Sequence, residues 1–116
     1  VKIKGAVHVT GDAYVKFDRL MKYSRGIGFE FTNFKPQPIF ELIQQTAPQA
    51  GGEITDEEML KTFNMGWGFA VVIDKNDEDE VITTFEKGGV EAERIGKVTS
   101  SEKIVAKYKD KKLELR

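Results

Sequence analysis

The hydrophobic positions of this chain change period several times, and each change marks an element. Val1 to Val9 starts with apolar residues alternating with lysines and closes up at Ala6-Val7-His8-Val9, which predicts a strand. A polar break follows at Thr10-Gly11-Asp12. Ala13, Tyr14, Phe17, Leu20, Met21 and Ser24 then recur at helical spacing, with Asp12 as the expected N-cap and Arg25-Gly26 as the stop. Ile27, Phe29 and Phe31 alternate with Gly28, Glu30 and Thr32 at strand period. Pro38 suits the first turn of a helix through Ile39, Phe40, Leu42 and Ile43, and residues 47–52 read as a flexible loop. Thr55-Asp56-Glu57-Glu58 is a capping box, opening a helix that carries Met59, Leu60 and Phe63 inward and ends near Asn64.

Phe69 to Ile73 is the longest apolar run, and it predicts a strand buried on both faces. Residues 76–80 form an acidic first turn, favoured by the helix dipole, for a helix with Val81, Ile82 and Phe85 on its apolar face and Gly88-Gly89 at its end. The tail reads as a three-strand meander over residues 91–98, 103–109 and 112–115, turned at Ser100-Ser101 and Asp110-Lys111. Lysines 107, 109, 111 and 112 read as a solvated guard on an edge strand. The order βαβ, two helices, βα, βββ predicts an α/β (α+β) domain, a mixed sheet covered by helices.

Composition narrows the function classes. A chain of 116 residues suits one domain with one core. Eighteen basic residues against nineteen acidic ones leave no basic stripe, so nucleic acid is not suggested. No apolar run approaches the roughly 20 residues that a bilayer requires, and Val1-Lys2-Ile3-Lys4 has no signal-peptide pattern. With no cysteine and one histidine, disulfides, thiol chemistry and a zinc site are not expected, and the cytoplasm is the expected compartment.

Two stretches carry candidate chemistry. In His8-Val9-Thr10-Gly11-Asp12, a strand runs into a glycine turn at a helix start, where free amides can meet an anion, and His8 and Thr10 share one strand face. The same residues also make an ordinary turn with a cap. Asp12 argues against a simple anion cradle: at about 6 Å and an effective dielectric near 20 it repels a unit charge by about 3 kcal/mol. Its gain as a cap is only about 0.3–1 kcal/mol. The second stretch is Asn64-Met65-Gly66-Trp67-Gly68. Asn64 offers a donor and an acceptor, Gly66 and Gly68 leave amides uncovered, and Trp67 can stack on a ring or fill the core. A helix cap followed by a bulge explains this stretch equally well. No nucleophile-and-base pair and no phosphate-loop, zinc-protease or hydrolase motif is present.

Thr62-Phe63-Asn64-Met65-Gly66-Trp67-Gly68, taken with the His8 turn, resembles the phosphoribosylformylglycinamidine cyclo-ligase (aminoimidazole ribonucleotide synthetase) family in its C-terminal domain. Pro38-Ile39-Phe40, Glu57-Glu58-Met59 and Ile95-Gly96-Lys97-Val98 are similar to further segments of that family, so the likeness covers nearly the whole chain. In the family's Ala-His-Ile/Leu-Thr-Gly-Gly-Gly turn, His8, Thr10 and Gly11 match, whereas Asp12 and Ala13 replace the last two glycines.

The resemblance implies the substrate-side part of an ATP-dependent ring closure in purine biosynthesis, from formylglycinamidine ribonucleotide to aminoimidazole ribonucleotide. His8, Thr10, Gly11, Asp12, Asn64, Met65, Gly66 and Gly68 would be the substrate- and phosphate-binding residues. No catalytic residue or metal ligand is assigned. It further implies that ATP and Mg2+ bind largely through an N-terminal domain outside these 116 residues, that the complete form is a homodimer, and that this chain is a fragment or split subunit, inactive alone. Two alternatives stay open at this point. One is a related ATP-dependent enzyme of the formylglycinamidine ribonucleotide synthetase or thiamine-phosphate kinase type. The other is a non-catalytic assembly module.

Overall fold

A computed structural model describes residues 1–116. The elements run β1 (Gly5–His8), a 3-10 helix (Ala13–Phe17), α1 (Asp18–Tyr23), β2 (Gly28–Phe31), α2 (Pro38–Ala50), α3 (Asp56–Thr62) and β3 (Phe69–Val72). A 3-10 turn (Lys75–Asp77), α4 (Glu78–Lys87), β4 (Gly96–Thr99), β5 (Ile104–Tyr108) and β6 (Lys111–Glu114) complete the chain. The fold is the expected mixed α+β class, divided between two sheets. One has four strands in the order β4-β2-β5-β6, parallel only between β2 and β5; the other is a two-stranded antiparallel ribbon of β1 and β3.

The tail is therefore not a meander. β4 pairs with β2, so β2 is inserted between β4 and β5. Gly96 allows this pairing, because a Cβ there would overlap the Glu30 carbonyl oxygen across the ladder. The β5–β6 hairpin turns on Lys109 and Asp110, both with positive φ, as a tight two-residue connection requires.

Alternation puts Phe29 and Phe31 of β2 and Ile104, Ala106 and Tyr108 of β5 on one face, where they meet Tyr14, Phe17, Met59 and Leu60. Val7 and Val9 join this same core from the β1 end, so both sheets share it. Phe17 stands edge-on to Phe29 and Phe31 at ring separations of 5.1 and 4.8 Å.

Three further expectations are corrected. β3 is not buried on both faces: Phe69 is 61% exposed, and Ala70 to Val72 are half-buried. A strand paired only with β1 has an open edge and no second layer over its outer face. Residues 47–50 are helical rather than a loop. Pro48 lies in the last turn of α2, where it removes one helical N–H without ending the helix at once, and Gly51 ends it at φ +128°. Asp12 does not cap its helix: its backbone is already helical (φ −86°, ψ −2°), and its carboxylate bonds no amide. That helix opens as a 3-10 segment because Ala13 sits at φ +49°, turning its N–H onto the Thr10 carbonyl oxygen (2.8 Å).

The capping box forms as expected. The Glu58 amide donates to Thr55 Oγ1 (3.1 Å), and the Thr55 amide donates to Glu58 (2.9 Å). The next residue, Asp56, holds α3 to its neighbours. It is 14% exposed and accepts from Gln44 Nε2 (2.8 Å), Lys109 Nζ (3.2 Å) and Lys111 Nζ (3.2 Å). Burial works against the charge, but these donors win and hold the carboxyl below the usual carboxylate range. Lys109 and Lys111 thus tie α2 and α3 to the β5–β6 hairpin as well as lining an edge.

Candidate functional site

β1 ends where β3 begins, and that pairing builds the site. His8 stands opposite Phe69 in the antiparallel register, and the Val9 amide donates to the Gly68 carbonyl oxygen (2.8 Å). Residues some 60 positions apart are thereby held at one rim of the ribbon. Val7 and Val9 point into the core, so His8 and Thr10 face outward, as their alternation predicts. The His8 and Phe69 rings lie 6.4 Å apart on that open face.

Each turn is held by its own local chemistry. Asn64 Oδ1 accepts from the Gly66 amide (2.9 Å), which bends the chain straight after α3. Asn64 Nδ2 keeps no bond within the chain and lies beside Gly68, 3.9 Å from where a Cβ there would sit. Met65 and Ala13 both adopt the left-handed conformation, at φ +60° and +49°. For non-glycine residues this is strained by roughly 1–2 kcal/mol. Both side chains are buried, at 1% and 0% exposure, and packing there holds the strain in place. Met65, buried as a whole residue, supports the turn from beneath. The Gly11 and Gly68 amides bond no acceptor in the chain, and both residues are exposed.

Tyr14 couples the two turns from beneath. Trp67 Nε1 donates to the Tyr14 hydroxyl oxygen (2.9 Å), and that hydroxyl lies at the 3.5 Å limit from the Asn64 carbonyl oxygen. Its ring packs against Phe31, Phe34 and Trp67 at 5.0–5.2 Å. Burial pushes the Tyr14 phenol up, the Trp67 donor draws it partly back, and the hydroxyl stays protonated. Trp67 is thus a half-buried core residue with its N–H engaged, not an exposed stacking platform. Periodicity gave no sign of this role for Tyr14; the only hint was an aromatic with a polar tip on each turn.

Of the eight residues singled out, His8, Thr10, Gly11, Asp12, Asn64, Gly66 and Gly68 are exposed or half-exposed around the paired turns, and Met65 lies beneath them. The rim can offer amides, an imidazole, a carboxamide and a hydroxyl, a donor-rich set suited to a phosphate and sugar hydroxyls. No three His, Asp or Glu side chains converge in this chain. No helix is long and apolar enough to cross a membrane.

Comparison with known proteins covers nearly the whole chain. The family described as AIR synthase related protein, C-terminal domain, matches residues 1–109. The chain is 36% identical to the phosphoribosylformylglycinamidine cyclo-ligase of Methanocaldococcus jannaschii, over 99% of this chain and 33% of that protein. It is 38% identical to the protein of the same name from Methanobrevibacter smithii (90% and 28%) and 34% identical to that from Bacillus licheniformis (90% and 29%). The chain spans about a third of the length of the curated relatives it matches.

Proposed function

Because the chain belongs to the AIR synthase related protein family as a C-terminal domain, we propose that it is the substrate-side domain of a cyclo-ligase of purine biosynthesis. In this reading the complete enzyme converts formylglycinamidine ribonucleotide to aminoimidazole ribonucleotide at the expense of ATP. The observation that carries it is the β1–β3 pairing, which joins the His8 turn to the Asn64 turn at one exposed rim. His8, Thr10 and the Gly11 amide hold the phosphate end, and Asn64 with the Gly66–Gly68 backbone holds the sugar side. The work of these residues is positioning: a ring closure between two parts of one molecule is accelerated by fixing its conformation.

ATP and Mg2+ are assigned mainly to a domain or subunit corresponding to the other two thirds of the relatives. Apolar surface supports a partner of that kind. Helices α2 and α4 have no buried residue, and Ile39 and Leu42 are half exposed. Calorimetry on the 116-residue chain tests the proposal. The chain is expected to bind formylglycinamidine ribonucleotide and to release no ADP from ATP. Absence of binding contradicts the substrate-side role, and ATP-dependent product from the chain alone contradicts the division of labour.

A further inference from the structure

Asp12 leaves a charge at the rim that the reading above must accommodate. Its carboxylate is exposed and enters neither a cap nor an ion pair. The helical run that follows, Ala13–Phe17 continuing into α1, takes no cap bond from this carboxylate. A cation beside the same turn would lower the repulsion that an anion meets there. Lys16, one turn further on, has a half-buried stem, and its Nζ donates to Thr10 Oγ1 at 2.6 Å. Lys16 makes no ion pair of its own; the ammonium rests on a neutral oxygen.

That contact places donors together. Thr10 accepts from Lys16 and so keeps its own O–H free to donate, while the ammonium has two further N–H groups. A phosphate monoester presents three acceptor oxygens, and a lysine ammonium is a strong point-charge partner for it. Held by its stem and by Thr10, the ammonium loses less freedom on binding than an unconstrained lysine.

We propose that Lys16, steadied by Thr10, is the residue that receives the substrate's phosphate and offsets Asp12 at the rim. The inference rests on the substrate-side reading above and adds a residue to it. The position of the contact also explains how a turn carrying Asp12 and Ala13 remains competent for an anion.

Calorimetric titration of the 116-residue chain with ribose 5-phosphate at low salt, with ribose as the control, tests this. The wild-type chain is expected to bind ribose 5-phosphate and not ribose. Lys16→Ala is expected to weaken binding about tenfold or more, Lys16→Arg to stay within about threefold, and Asp12→Asn to tighten it several-fold. Trp67 fluorescence checks that each variant keeps its core. A Lys16→Ala chain with an intact core and unchanged affinity overturns the inference and leaves the substrate-side reading standing. A wild-type chain that ignores ribose 5-phosphate, or binds ribose equally well, overturns both.

Discussion

The four-stranded sheet and the β1–β3 ribbon divide the molecule's tasks. On the sheet, Phe29, Phe31, Ile104, Ala106 and Tyr108 are buried, and no buried polar side-chain atom lacks a partner anywhere in the chain. On the ribbon, Phe69, His8 and Thr10 are exposed, each turn carries a left-handed non-glycine residue, and amides at Gly11 and Gly68 remain free. Left-handed residues occur in the sheet's turns too, at Lys109 and Asp110, so the difference lies in the donors. The sheet's inner face is filled with contacts, and the ribbon's rim keeps unused amides. A binding rim has to be built that way, because groups already satisfied internally have nothing left for a ligand. Tyr14 joins the two, with its ring in the aromatic core and its hydroxyl under both turns.

Mutations should separate these regions. Phe31→Ala is expected to cost about 3–5 kcal/mol, enough to unfold much of the protein, whereas His8→Ala should stay within about 0.5 kcal/mol. Urea denaturation measures both, and equal losses would erase the contrast. Next in size is Asp56→Asn, expected to cost about 1–2 kcal/mol at pH 7 by weakening the tie between α2, α3 and the β5–β6 hairpin. In the folded chain Asp56 ionises below its ordinary value of 3.8. Its contribution is therefore complete above that value and is lost as pH falls through the lower folded value. Thermal melts of wild type and Asp56→Asn should accordingly converge in acid. Tyr14→Phe is expected to cost about 1 kcal/mol, because Trp67 loses its acceptor, and to shift the Trp67 emission. Asn64→Ala follows, at about 0.5–1 kcal/mol from the lost bond to the Gly66 amide, with a far larger effect on ligand affinity.

The sequence was legible where a pattern had a local cause. The Thr55–Glu58 box, the alternation of Phe29 and Phe31, and the outward pair His8 and Thr10 follow from side chains a few positions apart. What escaped was set by distant partners. Nothing near β4 says that it pairs with β2 instead of β5, and an apolar run such as Phe69–Ile73 does not reveal that its sheet has only two strands. Asp12 read as a cap because its type is right, but Ala13 at φ +49° changes the helix start and takes the cap away. At the site, the residues on each turn could be named from the sequence, whereas the Tyr14–Trp67 bond beneath them and the Lys16–Thr10 contact depend on that unforeseen 3-10 geometry.

Joint action of the two turns is best tested by following backbone and side-chain amide resonances of the 15N-labelled chain during titration with formylglycinamidine ribonucleotide. The account predicts that the Gly11 amide, the Gly68 amide and the Asn64 carboxamide shift together along one binding curve. Shifts confined to one turn, or two curves with different affinities, would contradict it.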